Sequence, residues 1–445
     1  MAKLVYDDTG RLLFTKEMKE EYTLLMPQML PVHFGMMKKL LECEGYKVDM
    51  LTTNHRGIVD EGLKYVHNDT CYPALLVIGQ LIDAVKHGGY DPHKVGLLIT
   101  QTGGGCRASN YIHLLRKALE KADMAYIPVV SVNLSGLEKN PGFSLRLPLV
   151  RKMVYAMLYG DLIVNVANQV RPYEVEPGAA DAAITFWQDQ LIDGFQKGQG
   201  MSRAQMRDNF DAICDYFAQI PVQGEPKIRV GVVGEIYVKF APLGNNNLEK
   251  FLLSEGVEPV VPGLTDFIIF KIYNRVADVE LYGGKWIKKA GCTLFMRYIE
   301  ACQRDMIAAL EQSGRFRAPG TFQDLHRLVH GYLGDGNKMG EGWLLTAEML
   351  ELIHSGTNNI VCTQPFGCLP NHIVGKGMIR KLKDDYPYSN IVAIDYDPGA
   401  TRINQENRIK LMLANAKGLT HAEPVRPREE EPQMEREPQL AHANI

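Results

Sequence analysis

Short runs of β-branched and aliphatic residues alternate with stretches of helical spacing along most of this chain, and that alternation restricts the fold more than any other feature. YTLLMPQM, starting at Tyr22, reads as a strand, PVHFGMMKKLLECEGYKV as a helix ended by Gly45, and KVDMLTT as a second strand. PALLVIGQLIDAVKH, residues 73–87, has helical spacing. KVGLLITQT then reads as a strand, CRASNYIHLLRKALEKA as a helix and AYIPVVSVNL as a further strand. Strands separated by helices of this length predict an α/β fold, a parallel sheet covered on both faces.

From about Leu147 to Ile220 the pattern is helical throughout, and it reads as a connector. A fresh alternation begins with KIRVGVVGEIYV, followed by NNLEKFLLSEG and VEPVVPG, which predicts a second α/β lobe. A helical region spans Leu264 to Leu310; NIVCTQPF and NIVAIDYDPG then flank PNHIVGKGMIRKL, and TRINQENRIKLMLANAKG closes the fold. The expected organisation is an N-terminal segment (1–20), a first lobe (21–146), a helical connector (147–220) and a second lobe with a helical insert (221–419). Beyond Leu419 the sequence is rich in Pro, Glu and Arg without apolar periodicity and reads as a disordered tail.

The 445 residues carry a formal net charge of −3 and no basic stripe, which gives no electrostatic case for nucleic acid or an anionic membrane as a partner. No apolar run reaches the length of a membrane span, and MAKLVYDDTGRLLF lacks the apolar centre of a signal peptide. The expected location is cytoplasmic. Eight irregularly spaced cysteines do not form a disulfide framework, and in a reducing compartment they are thiols or metal ligands.

Four of those cysteines fall at turns that lead into helices. The apolar run NIVC stops at Cys362, and five residues of Gly- and Pro-bearing turn separate it from Cys368, with Pro370 in the first turn of the next helix. Cys71 lies in HNDTCYPALL, behind the cap formers Asn68, Asp69 and Thr70, and Cys106 in TQTGGGCRASN, where glycines let the backbone approach a bulky group. Such turns gather at the carboxyl ends of strands in open α/β sheets, so cysteines remote in sequence converge there. Free N–H groups and the positive helix end favour thiolates, which suit a soft metal or an iron–sulfur cluster, with a low-pKa catalytic cysteine as the alternative. Cys43, Cys214, Cys292 and Cys302 sit in helical stretches and read as core residues.

Two rival motifs are weaker. TGGGC lacks the G-x-G-x-x-G spacing and a Walker lysine, and Asp397-Pro-Gly399-Ala-Thr401, although it matches the D-x-G-x-T loop of actin-like sugar-kinase ATPases, is followed by only one helix and reads as a turn. His67 and His372 lie close in sequence to candidate cysteines, and Glu235 ends a strand in GVVGEIY where it can point into the same crevice.

NDTCYPA, GGGCRASNY, VGVVGEIYV, QPFGCLPNHI and AIDYDPGAT together resemble segments of the iron–sulfur component of the 2-hydroxyacyl-CoA dehydratase family, and more closely its activase-related members, over residues 20–418. The resemblance implies two flavodoxin-like parallel-sheet lobes with the cluster in the crevice between them. It also implies Cys71, Cys106, Cys362 and Cys368 as ligands of an iron–sulfur cluster, a 4Fe-4S cubane or alternatively a double-cubane; Glu235 and His372 are candidate catalytic groups from their positions near these cysteines and the crevice. The implied partner is a separate ATP-dependent activase of the actin-like ATPase family, and the implied substrate an acyl-CoA or another small molecule; a homo- or heterodimer is in keeping with the family. Three function classes follow: an activase-fed electron carrier or reductase, a subunit of a 2-hydroxyacyl-CoA dehydratase, and a non-catalytic cluster scaffold or zinc-binding protein. Dehydratase subunits hold a cubane through three cysteines and double-cubane proteins use more than four, so this set of four departs from both.

Overall fold

A computed structural model of the protein describes residues 2–67, 69–101, 105–132 and 138–419. The tail expected to be disordered, together with Asn68, Gly103 and Gly104 of the cysteine loops, lies outside the described residues.

The chain opens with a two-stranded hairpin, β1 (Val5–Tyr6) and β2 (Leu12–Leu13), and a short helix, Lys16–Glu21, capped by Thr15. β3 (Thr23–Pro27), β4 (Lys47–Leu51), β5 (Val95–Thr100) and β6 (Val129–Val132) form a parallel sheet in the order β4-β3-β5-β6. β7 (Arg229–Gly234), β8 (Glu258–Val260), β9 (Asn359–Pro365) and β10 (Asn390–Tyr396) form a second in the order β10-β9-β7-β8. The protein is thus α/β with two four-stranded parallel sheets. Counted within its own lobe, each sheet runs second, first, third, fourth, which is how the flavodoxin order begins. The order reverses between β3 and β5 in one lobe and between β7 and β9 in the other, and loops leaving the carboxyl ends of such neighbours splay apart to leave a crevice.

The helix Tyr72–His87 lies between the lobes. It is buried without a break from Tyr72 to Val85, as its sequence requires, since a helix apolar all round has no face to offer water. One continuous core joins its Leu75, Ile78 and Ile82 to Leu25 and Leu97 of the first sheet and to Val230, Val361 and Ile394 of the second. The helix Arg56–Tyr65 crosses it at two glycines: a Cβ on Gly79 would stand 2.2 Å from the Ile58 carbonyl oxygen, and one on Gly62 would stand 2.4 Å from that of Leu75. Backbones therefore meet at that crossing.

The three helices between the lobes, Leu147–Val170, Ala179–Gln196 and Arg203–Ala218, pack onto the first sheet, sharing one core with Leu24, Leu98 and Val130. They form a layer of that lobe. The following helical region divides at Gly283 and Gly284, both at positive φ, into Leu264–Tyr282 and Trp286–Gln312. The outer face of the second sheet, with Val233, Ile360 and Ile391, packs against the helix Leu344–His354, Phe270 and Trp343. Among the described residues, no helix is long and apolar enough to cross a membrane.

Three local expectations are corrected. β9 does not stop at Cys362: pairing continues through Thr363, opposite Gly234, to Pro365, opposite Tyr396, so Cys362 lies inside a strand rather than in a helix-entry turn. PNHIVGKGMIRKL is not one regular helix. Asn371–Gly375 winds as a wide π turn, Lys376–Met378 as a tight turn, and only Ile379–Asp385 is α-helical; the Asn371 amide donates back to the Thr363 carbonyl, and a Cβ on Gly375 would stand 2.3 Å from the Asn371 Oδ1. Arg107–Asn110 is likewise a tight turn before the helix Tyr111–Lys121.

Candidate functional site

Three of the four candidate cysteines meet where the two lobes face each other. Cys71 is the N-cap of the central helix, with Pro73 in its first turn. Cys106 follows β5 and caps the turn Arg107–Asn110. Cys368 follows β9 through a tight turn in which Gly367 has φ +76°. The Tyr72 N–H donates to the Phe366 carbonyl at 3.0 Å, and a Cβ on Gly367 would stand 3.1 Å from the Cys71 Cα, so the Cys368 turn lies directly on the head of the central helix. Arg107 ties the third loop in by donating to the Asp69 carbonyl. Opposite, a Cβ on Gly105 would overlap the Met339 sulfur at 2.2 Å, and one on Gly340 would stand 3.2 Å from Pro370. Gly105, Gly340 and Gly367 thus mark three close approaches among these loops.

The polar surroundings are equally specific. The Tyr111 hydroxyl stands 2.8 Å from the Cys71 sulfur. Glu235, at the carboxyl end of β7, caps the next helix by accepting the Val238 N–H at 2.9 Å, and the buried Glu341 accepts the Ile236 N–H at 3.0 Å. Burial, and then the Glu341 carboxylate, push the Glu235 carboxyl up to about 8. Lys271 donates to the Gly340 carbonyl, and burial holds its ammonium below the usual lysine range while Glu341 and Cys106 oppose that shift.

Burial, not the helix ends, dominates the thiols. It pushes Cys71 up to about 11 against the favourable Tyr111 hydroxyl and Ala74 N–H, with Glu235 and Cys106 adding to the rise. Cys106 is raised by burial and by Glu341 and Glu235, and Cys368 by burial, Glu341, Glu235 and Cys106. These groups act on one another, which is the electrostatic mark of a shared site. Thiols raised in this way release their protons to solvent when they bind a metal.

Cys362 is placed elsewhere. It is fully buried in the outer core of the second sheet with Val233 and Ile360, its sulfur 3.8 Å from the Asn371 Oδ1. Burial raises it to about 12, and the charges that act on it are Asp395, Glu348 and Lys376. His372 is exposed and its Nδ1 lies 2.5 Å from the Gln364 amide nitrogen. His67 is also exposed and pairs with Asp69. Asp397 accepts the N–H groups of Gly399 and Ala400 at 2.7 and 2.9 Å, closing its own turn.

Tyr111, Glu341 and Lys271 were not legible as site residues. Tyr111 lies five residues beyond Cys106, a spacing that could have flagged it, whereas Glu341 and Lys271 come from a loop and a helix with no motif of their own. Among the described residues, no three His, Cys, Asp or Glu side chains are close enough to share one metal ion; ligands of a multi-iron cluster bind different irons and stand farther apart than donors to a single ion. No family model matches the chain, and no curated protein matches it in sequence.

Proposed function

We propose that the protein carries an iron–sulfur cluster on Cys71, Cys106 and Cys368, receives low-potential electrons from a separate ATP-dependent activase, and delivers them to reductive or radical chemistry. The observation that carries this reading is the convergence of two buried thiols, Cys71 and Cys368, and the half-buried Cys106, which acts on both, at a site where the Gly367 turn packs directly on Cys71. The donor set fits the group. Soft thiolates suit iron, and three of them on a cubane leave one iron for a substrate or a further ligand. The bound cluster would supply one-electron transfer at low potential; the chain supplies a site in which burial limits access of water, and a tyrosine hydroxyl on one ligand sulfur.

Phe366, Leu369 and Ile373 stand 55%, 67% and 55% exposed around Cys368. An apolar rim of this kind beside a redox site suits a docking partner such as an activase. Glu235, with its carboxyl near 8, holds a proton at neutral pH and favours the second reading, a 2-hydroxyacyl-CoA dehydratase subunit in which it would serve as an acid.

The test is anaerobic. Brown protein containing iron and sulfide, reduced by an actin-like activase only when ATP and a reductant are both present, is the expected result. A colourless, iron-free but zinc-loaded protein would overturn the proposal, and dehydration of a 2-hydroxyacyl-CoA panel would select the second reading.

A further inference from the structure

The first half of the helix Trp286–Gln312 turns its apolar face to solvent. Its buried residues begin at Ile299, and none lies between Trp286 and Tyr298. The half-buried Met296 packs against the core of the second lobe, and at about 100° per residue Ile287, Leu294 and Tyr298 stand on the opposite side of the helix. Ile287 is 68% exposed and Leu294 74%. Trp286 and Phe295 border them, and Leu281 and Tyr282 precede the Gly283–Gly284 turn; all four are exposed. Seven large apolar side chains on one hairpin are more than a monomer leaves to water without a partner.

Ile287, Gly291, Leu294 and Tyr298 follow one another at intervals of four, three and four residues, the spacing of a coiled-coil seam. Gly291 has no cause within the chain. Nothing stands within 4 Å of where its Cβ would be, so no neighbour demands a glycine, and glycine is the poorest helix former after proline. In a seam it leaves a hole for a side chain from a facing helix. The residues beside the seam decide what that helix must carry. Lys288 and Arg297 flank it, both exposed, and no acid occurs from Leu281 to Ile299. The nearest carboxylates in the chain are paired or buried: Asp278 pairs with Lys338, Glu280 with Lys289 and Asp305 with Arg203, while Glu300 is buried. A second copy of this helix would therefore bring bases to a basic face. Tyr282 lies under the Lys338 ammonium, 4.9 Å from its ring centre, and Met339, the next residue, overlies Gly105 of the Cys106 loop, so the apolar face begins beside the cysteine site.

We propose that this face docks a partner protein through an acidic amphipathic α-helix, whose apolar side chains enter the seam around Gly291 and whose carboxylates meet Lys288 and Arg297. A bilayer would suit an exposed tryptophan among lysines, but it gains nothing from heptad spacing or from a glycine hole. The inference rests on this helix alone and is independent of the cluster and of the reaction at the cysteines.

Fluorescence anisotropy of the full-length protein with two labelled synthetic peptides of about three heptads tests it, both with Leu and Ile along the seam, one with Glu and the other with Lys at the flanking positions. The Glu peptide should bind about tenfold or more tighter than the Lys peptide, and added salt should narrow the gap. Leu294→Asp, at a position in open solvent, should weaken that binding about tenfold or more while the melting temperature stays at the wild-type value. The double variant Lys288→Glu, Arg297→Glu should reverse the preference between the peptides. The proposal is overturned if the Glu peptide is not preferred, or if these variants bind it as the wild type does. Sedimentation of the protein alone and with phosphatidylserine vesicles covers the other occupants: a dimer, or vesicle binding, that Leu294→Asp abolishes would also overturn it.

Discussion

The hydroxyl of Tyr111 stands 2.8 Å from the sulfur of Cys71, joining the helix that follows the Cys106 loop to the head of the central helix. Tyr111→Phe removes that contact and little else. The variant is expected to lose about 1 kcal/mol in thermal or urea denaturation. A hydrogen bond to a ligand sulfur stabilises the added negative charge of a reduced cluster, so the midpoint potential of the loaded variant should become more negative. A redox titration followed by EPR measures this, and an unchanged or more positive potential would contradict the contact's assigned role.

Gly367→Ala separates backbone strain from damage to the site. The new Cβ would have to adopt φ +76° and stand 3.1 Å from the Cys71 Cα, pressing two cysteine loops apart. Gly89 has the same φ with open space around it, so Gly89→Ala carries the strain alone, about 1–2 kcal/mol. Both variants should be less stable, and only Gly367→Ala should lose iron. Equal iron content in the two would show that the Gly367 turn does not set the spacing of Cys71 and Cys368.

At the crossing beneath Cys71, Gly79→Ala brings a methyl to 2.2 Å from the Ile58 carbonyl oxygen, and backbone cannot rotate away as a side chain does. Overpacking of this kind costs about 1–3 kcal/mol, and the upper end is expected because two helices must separate. Chemical denaturation gives the value; a change below about 0.5 kcal/mol would mean that the crossing is looser than the geometry implies.

Asp266 governs a pH dependence. Burial, reinforced by Glu348 and Asp161, pushes its carboxyl from 3.8 up to about 8, so between these values the folded chain holds a proton that the unfolded chain has lost. Its contribution to stability is therefore full below about pH 4, declines as pH rises through that window and levels off above about pH 8. Asp266→Asn keeps the oxygen that accepts from Gln303 and removes the titration. Relative to wild type the variant should gain roughly 4 kcal/mol between pH 5 and pH 8.5. Parallel stability curves for the two proteins would sink this assignment.

The alternation of strands and helices was legible because β3, β5, β7 and β9 are largely apolar runs buried along most of their length, a pattern central strands of parallel sheets require. The helix Arg56–Tyr65 escaped notice because its apolar positions are few and it buries them through a glycine crossing that no periodicity encodes. Cys71, Cys106 and Cys368 could be read as a group from their Pro- and Gly-marked turns. Cys362 could not be separated from them: Thr363, Gln364 and Pro365 look like turn residues, yet the sheet continues through them, with the Thr363 hydroxyl bonded to the Val233 carbonyl at 3.1 Å. Glu341 and Lys271 depend on segments brought together by tertiary packing alone, and no local spacing announces them.

The ligand set is the central claim, and four single alanine variants purified anaerobically test it most directly. Iron per chain and the EPR spectrum should collapse or change in Cys71→Ala, Cys106→Ala and Cys368→Ala, each of which removes a sulfur from the shared site. Cys362→Ala should keep wild-type iron and lose on the order of 1 kcal/mol of stability, as a small truncation in a packed core does. Loss of iron in Cys362→Ala together with a native cluster in Cys106→Ala would contradict the account.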